Sequence, residues 1–577
     1  MQRRALHTAM NAAFAAALLA GCGGGHTAAV SPETGGVLPP VSHKQSGSFA
    51  YDTKTLQSAQ LVEPAHVKTL SVDAVPRMRD ANGLLSYARQ ANDPHSPIYR
   101  QFLTPAQIAD RFAASTEDYR AAIDYFKSKN LTVDAWPQRM LLHVTGSQAD
   151  MEAAFGTTFG WYKNSAGTFL APMTPPKVAP GVPVVGSPNI VRAVTAFSNM
   201  YRVKATSAQN DGMLYGYAPQ QIAAAFDYTG AYRAGYTGAG ITVGVIGTGG
   251  FSSADVPAYK ALYHVPGNGT ATMVSATDAD SPGNGASGFA TPPPVTGPCM
   301  GSPIFPRPGC NPEDGEAQLD TEQMASLAYD SDLHYYLAYN PNDGCGAIGT
   351  PCPEGAGIPL QGLGEIDAEL QTAIAENASD VLSLSFGGPE AALVGPVFNS
   401  SGNGFEPLEF AALASEGIAV FVSSGDAGAE ECQRPYYPPS PDSECVSYPS
   451  TDTNVVAVGG TNTPLNSAGR FVGPITGWGN KTTGGFAGSG GGISQFFALS
   501  PYQQGAAGIN GSMRNVPDIS LEGDASTGVS LMMYGDPSLG GPQFMSVGGT
   551  SVAAPEAAAM WALVLQACKE HASCSSA

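Results

Sequence analysis

Charge is scarce in this chain. Only 13% of its 577 residues are Asp, Glu, Lys or Arg, so its polar surface relies on Ser, Thr, Asn, Gln and backbone. The basic share is smaller still: 27 Lys plus Arg stand against 48 Asp plus Glu, a net charge of -21. Binding nucleic acid would need a local basic patch to overcome that field, and the sequence holds none. A surface with few ion pairs loses few carboxylate interactions on acidification, so operation at acidic pH is permitted. Long apolar runs are missing too. Ala12 to Ala20 is too short for a membrane span, and no other segment could cross a bilayer. C-x-x-C motifs are absent and only His571 lies near any cysteine couple, which argues against zinc. The turn Gly247, Thr248, Gly249, Gly250 lacks the full spaced dinucleotide fingerprint. Histidine offers no general base for a Ser-His-Asp triad. His143 falls in the N-terminal region, His264 precedes Val265, Pro266 and Gly267, and His334 reads as part of an amphipathic helix.

What is present starts with length: 577 residues imply at least two domains and a large buried core. Arg3 and Arg4 ahead of the apolar run read as an export signal over 1–21. Leu19, Ala20, Gly21, Cys22 resembles a bacterial lipoprotein signal, with Cys22 as the lipid anchor; an ordinary cleavage site between small residues is the plainer alternative. The Gly/Pro/Ser-rich stretch 22–46 then reads as a flexible tether. The expected location is outside a bacterial cell, as a membrane-anchored precursor or secreted after processing. The other eight cysteines form close sequential couples, Cys299 with Cys310, Cys345 with Cys352, Cys432 with Cys445 and Cys568 with Cys574. Short loop closure favours four local disulfides in an exported chain.

Residues 47–198 form one compositional unit. Helical periodicity marks Glu63 to Val75, Leu84 to Gln90, Thr104 to Phe112, Thr116 to Lys129 and Gln148 to Phe155, while Leu131 to Trp136 and Arg139 to Thr145 read as strands: a small α+β domain. Ser96 to Leu103 reads as a docking segment before a helix start at Thr104 and Pro105. A polar linker, 199–216, follows. From 217 to 577 apolar strands at Ile241 to Ile246, Val381 to Phe386, Ile418 to Ser423 and Val455 to Val458 alternate with helices at Gln220 to Phe226, Glu316 to Tyr336, Glu365 to Glu376 and Phe410 to Glu416. That order predicts an α/β domain on a mainly parallel sheet covered on both faces. Asn284 to Gly315 and Pro341 to Leu363 read as long surface insertions.

Three short motifs carry the chemistry. In Gly548, Gly549, Thr550, Ser551, Val552, Ala553, Ala554, Pro555 a serine sits between a glycine turn and an apolar helix, as a nucleophile would; a helix cap is the alternative. Glu316 and Asp320, four apart, share one helix face, and if buried they can share a proton. A solvated helix start would also tolerate them, with Glu322 beside them. Glu316, oriented by Asp320, could accept the Ser551 proton and return it to a leaving amine. Asp426, in Ser423, Ser424, Gly425, Asp426, Ala427, Gly428, could donate a hydrogen bond to a tetrahedral oxyanion if protonated, although an Asp turn is the local alternative.

Together these motifs resemble the sedolisin family of serine-carboxyl peptidases, particularly kumamolisin-like enzymes with a pro-kumamolisin activation domain. Further similarity runs through Ser383, Leu384, Ser385, Phe386, Gly387, Gly388 and Glu390, which look like a substrate-cleft strand. It continues through Gly491 to Gln503, through Arg514, Pro517 and Asp518, and through Asp524, Thr527 and Gly528. Pro94, Ser96, Pro97, Tyr99, Phe102, Leu103, Thr104 and Pro105 resemble the activation-domain signature. The resemblance implies a subtilisin-like catalytic domain at 217–577 behind an activation domain at 47–198 that occupies the cleft and is removed by cleavage between about Val203 and Leu214. It assigns Ser551 as nucleophile, Glu316 as base, Asp320 as its partner and Asp426 as oxyanion acid. The expected function is acid endopeptidase cleavage through an acyl-enzyme, with proteins or peptides as substrates, the own propeptide as partner and no organic cofactor. The family's Ca²⁺ segment has no counterpart before Ala577, so the catalytic domain is read as C-terminally shortened. A catalytically impaired, sedolisin-like surface binding protein is the rival expectation.

Overall fold

The computed structural model describes residues 49–571 except 165–166, 192–196, 199–200, 203–215, 248–254, 277–313, 339–362, 394–405, 434–443, 483–484, 510 and 534–542. Cys22, the signal and tether calls and most of the processing linker lie outside the described residues.

The N-terminal domain is α+β. Its four-stranded antiparallel sheet has the order β3-β4-β2-β7, from β2 (Thr69–Pro76), β3 (Thr132–Ala135), β4 (Leu142–Ser147) and β7 (Val184–Gly186). A second sheet joins β1 (Gln60–Pro64), β5 (Phe159–Asn164) and β6 (Gly167–Pro172). Helices α1 (Ala81–Ala91), α2 (Pro105–Arg111), α3 (Thr116–Lys127) and α4 (Gln148–Phe155) complete it. Thr104 caps α2 reciprocally with Gln107, as Thr-Pro ahead of a helix suggests. The helix expected over Glu63 to Val75 is instead the end of β1 and most of β2. From Leu70 to Pro76 every β2 residue is buried; Leu70, Val72 and Ala74 alternate with Ser71 and Asp73, which is the period of a strand and not of a helix.

The larger domain is α/β. Its sheet runs β11-β12-β10-β13-β15-β17, from β10 (Thr242–Ile246), β11 (Ala271–Ser275), β12 (Asp332–Leu337), β13 (Val381–Leu384), β15 (Ala419–Ser423) and β17 (Val456–Asn462). All these neighbours pair in parallel. Strand β19 (Ile519–Glu522) continues parallel to β17, and β18 (Thr476–Gly477) pairs with it antiparallel. Helices α5 (Asp314–Leu327) and α8 (Thr550–Glu570) share a core with Val243, Val245, Leu333, Tyr335 and Phe421 on one face. Helices α6 (Leu363–Glu376) and α7 (Glu406–Glu416) share another with Ile246, Tyr336, Leu382, Leu384 and Val422 on the opposite face. The helix expected from Glu316 to Tyr336 stops at Leu327. Tyr329 to Ser331 turn, and the aromatic run Leu333 to Leu337 becomes strand β12, with His334 half-buried on it. Bulky and aromatic side chains favour a buried strand, and the Asp330-Ser331 break separates two segments that hydropathy alone fuses.

The two domains share that second core. Val75, Leu84, Leu103, Trp136 and Leu141 belong to the cluster built on α6 and α7. Trp136 Nε1 donates to Thr372 Oγ1 at 3.1 Å, and Gln138 Nε2 donates to the Gln371 main-chain oxygen at 2.8 Å. The docking segment ends with Leu103 N donating to Ser415 O at 2.8 Å. Phe102 covers Gly417, whose φ is +85° and where a Cβ would stand 2.6 Å from the ring, so both the turn and the close approach require glycine.

Candidate active site

The site lies at the C-terminal ends of the central parallel strands, where an α/β sheet opens toward ligand. Strand β13 ends at Leu384, Ser385 follows, and the chain becomes β14 (Phe386–Pro389), which pairs antiparallel with β16 (Ser447–Tyr448). Strand β15 ends at Ser423, leading through Gly425 to Asp426. Strand β21 (Gln543–Gly548), which pairs with β20 (Val529–Met533), leads through Gly549 into α8 and Ser551. Gly549 has φ +109° and is the N-cap of α8 without any side-chain cap bond, so Ser551 lies inside the first turn and is not the cap.

Ser551 is fully buried, and Glu316 and Asp320 on α5 are buried as well. Ser385 joins the two helices. Its Oγ donates to Asp320 Oδ1 at 2.8 Å, and its main-chain oxygen accepts from Ser551 Oγ at 3.1 Å. Burial lifts the Asp320 carboxyl well above its usual range, opposed by hydrogen bonds from Ser385 and Glu316. Solvation of this carboxylate pair, the plain alternative, does not hold: both are buried and linked to each other. The Ser551 hydroxyl rests on a backbone carbonyl, and passing its proton to Glu316 requires it to turn. Asp426, half-exposed, reaches across to the helix start: its Oδ1 accepts from Thr550 N at 2.8 Å and from Thr550 Oγ1 at 2.9 Å. Gly425 N in turn donates to Thr550 Oγ1 at 3.1 Å. Asp426 is therefore tied to the residue preceding Ser551 by long-range bonds.

A peptide already lies at this edge. Strand β8 (Phe197–Ser198) pairs antiparallel with β14, Ser198 opposite Phe386 and Phe197 opposite Gly387. Strand β9 (Tyr201–Arg202) pairs antiparallel with β21, Tyr201 opposite Gly548. Residues 197–198 thus pair with the strand that follows Ser385, and residues 201–202 with the strand that leads to Ser551. Glu390, next to β14, accepts from Ser494 Oγ and Gln495 N, both at 2.7 Å, which ties the cleft edge to the 492–498 strand.

The other sequence candidates serve packing. Arg514 is fully buried and forks onto Asp518, both contacts at 2.6 Å, with Gln503 and Tyr502 on the same carboxylate. His143 pairs with Asp73 at 2.6 Å in the N-terminal domain, and His334 lies 3.6 Å from Glu376; neither belongs to this network. The Cys432–Cys445 disulfide forms; the other three couples lie wholly or partly outside the described residues. Among the described residues no group of three or more His, Cys, Asp or Glu could hold a metal ion. Helix α8 is long and apolar enough to cross a membrane by composition, but the window concerned is 67% buried in the fold. The bridging position of Ser385 and the Thr550 link to Asp426 were not readable as roles: both residues stand in the motifs, but only the folded contacts connect them.

Residues 57–185 match the family model of the pro-kumamolisin activation domain, and residues 355–575 match the subtilase family model. The second range takes in Asp426 and Ser551 and begins after Glu316 and Asp320. Sedolisin of Pseudomonas sp. (strain 101) is 26% identical over 519 residues, covering 88% of this chain and 78% of that protein. Kumamolisin of Bacillus sp. (strain MN-32) is 29% identical over 265 residues, 44% of this chain and 40% of that protein. Xanthomonalisin of Xanthomonas sp. (strain T-22) is 23% identical over 540 residues, 88% of this chain and 59% of that protein. A solved structure of Pseudomonas sedolisin complexed with two molecules of pseudo-iodotyrostatin aligns at 23% identity and TM-score 0.45, over 62% of this chain and 83% of that one. The chain therefore belongs to the sedolisin/kumamolisin-like serine-carboxyl peptidases and carries an N-terminal pro-kumamolisin activation domain.

Proposed function

We propose that the chain is a zymogen whose catalytic domain cleaves protein peptide bonds in acid with Ser551, Glu316, Asp320 and Asp426. Ser551 Oγ attacks the carbonyl carbon and its proton passes to Glu316. A protonated Asp426 donates to the developing oxyanion, which an ionised carboxylate would repel. The C–N bond then breaks as Glu316 returns the proton to the amine, leaving an ester on Ser551. Water attacks that ester, with Glu316 again taking and returning a proton, and Ser551 is regenerated. Asp320, hydrogen-bonded to Glu316 and lifted by burial, lets the pair keep a shared proton at higher pH than free carboxyls would.

One observation carries this reading: a single buried residue, Ser385, contacts both Asp320 and Ser551. The pairing of residues 197–198 and 201–202 with β14 and β21 supports the propeptide as first occupant of the cleft, and an extended peptide as substrate, by main-chain strand addition. Processing is proposed between about Val203 and Leu214, inside the 199–216 linker, with release of the catalytic domain from any lipid anchor at Cys22. Purified precursor incubated from about pH 3 to about pH 7 is expected to lose its activation domain and digest protein at the acid end, while Ser551→Ala does neither. Equal digestion by Ser551→Ala overturns the nucleophile, and a mature N-terminus well outside that linker overturns the processing site. A wild-type chain that neither processes nor digests at any pH returns the impaired binding protein.

A further inference from the structure

We propose that Ser385 is a positioning residue of the peptidase site, holding the carboxylate pair and the nucleophile to the strand that carries the peptide. The proposal rests on the reading above and adds a residue to it.

Ser385 occupies the one-residue junction between β13, a fully buried strand, and β14, whose backbone pairs with Phe197 and Ser198. Its neighbours Leu384 and Phe386 are anchored in the core shared with α6 and α7, so the junction cannot shift without disturbing that packing. Ser385 is only 1% exposed, and at that depth its hydroxyl requires a partner. The partner is Asp320 Oδ1 at 2.8 Å; the Ser551 main-chain oxygen, 3.5 Å away, is the weaker direction for the same proton. The Ser385 main-chain oxygen meanwhile takes the Ser551 hydroxyl.

Three consequences follow from this geometry. The donated bond favours ionised Asp320 against burial, so it sets how the Glu316–Asp320 pair holds its proton. The carbonyl fixes where the nucleophile's hydroxyl rests. The next residue, Phe386, is the first to pair with the extended segment at Ser198, so a single residue separates the peptide-bearing strand from the contacts to Asp320 and Ser551. Peptide affinity itself comes from the β14 main chain, which a side-chain change at Ser385 leaves in place.

The test compares wild type, Ser385→Ala, Ser385→Thr and Ser385→Val on a peptide substrate across acid pH, with Ser551→Ala alongside. Ser385→Ala is expected to lower kcat by roughly 10- to 100-fold, to change KM by less than about 3-fold, and to move the acid limb of the kcat/KM profile upward by about half a pH unit or more. Ser385→Thr, which keeps a hydroxyl, should restore both kcat and the limb. Should the alanine variant not fold, Thr against Val, nearly equal in shape and different in the hydroxyl, reads the same effect. Wild-type kcat and limb in Ser385→Ala overturn the proposal, as does equal impairment of the Thr and Val variants. An inactive wild type, or an active Ser551→Ala, defeats the underlying peptidase reading instead, so the two failures are told apart.

Discussion

Helix α5 sends Glu316 and Asp320 toward one neighbourhood and Glu322, two residues on, toward another. In the first, Asp320 meets Ser385 and, through it, Ser551. In the second, Glu322 accepts from Met532 N at 3.0 Å and from Gln318 Nε2 at 2.9 Å. Glu522 on β19 and Glu556 on α8 are buried in the same half of the domain, and Glu522 accepts from Gly523 N and Thr527 Oγ1, both at 3.0 Å. Burial pushes Glu322 and Glu556 well above the usual carboxyl range and Glu522 up to about 8. Chemistry and burial are alike in both groups. What differs is where the network ends: at a hydroxyl beside a peptide-bearing strand, or within backbone and core. On the proposed reading the first arrangement does chemistry, and the second is expected to make the fold itself sensitive to pH.

The difference can be broken from either side. The largest effect expected is on the first group: Ser551→Ala should reduce peptide hydrolysis by about 10⁴-fold or more, with the melting temperature and its pH dependence unchanged. Asp320→Asn should follow, with roughly 10²- to 10³-fold lower kcat; a normal rate would detach Asp320 from the site.

The second group should show in stability. Glu522 ionises near 4.5 when unfolded and near 8 when folded, so the folded state holds its proton more tightly. Its contribution is fully present below about pH 4.5, declines as pH rises, and is lost through about pH 8. Melting temperature should fall across that window, and Glu522→Gln should flatten the fall while keeping acid kcat within about 3-fold of wild type. A fall as steep in the variant would remove Glu522 as its source. The smallest effect serves as a control: replacing Cys432 and Cys445 together by serine should cost at most about 3 kcal/mol. It should lower the melting curve equally at every pH, since no titrating group is involved; a pH-dependent loss would mean the disulfide and the buried carboxyls are coupled.

The candidate site was legible where its motifs are local. The glycine turn before Ser551, the four-residue spacing of Glu316 and Asp320, and the glycine frame of Asp426 are all short-range patterns. Strands β10, β13, β15 and β17 were legible as apolar runs. Two segments misled. Leu70 to Val75 alternates its apolar residues with Ser71 and Asp73, and Leu333 to Leu337 is apolar and aromatic apart from half-buried His334; runs of five or six residues are too short for hydropathy alone to separate strand from helix. Ser385 and Thr550 were visible only as members of runs, because each derives its role from a residue 65 or 124 positions away.

By itself the sequence determined the apolar runs that become β10, β13, β15 and β17, the acid-rich and charge-poor composition, and which residue types stand at turns and helix starts, since backbone preference and side-chain spacing act over a few neighbours. Tertiary structure alone decided which of many carboxyls would be linked to Ser551 through Ser385, which would be sealed in the core, and which strands would pair with residues 197–198 and 201–202. Burial and hydrogen-bond geometry depend on distant segments meeting, and a carboxyl's proton affinity follows that meeting rather than its place in the chain.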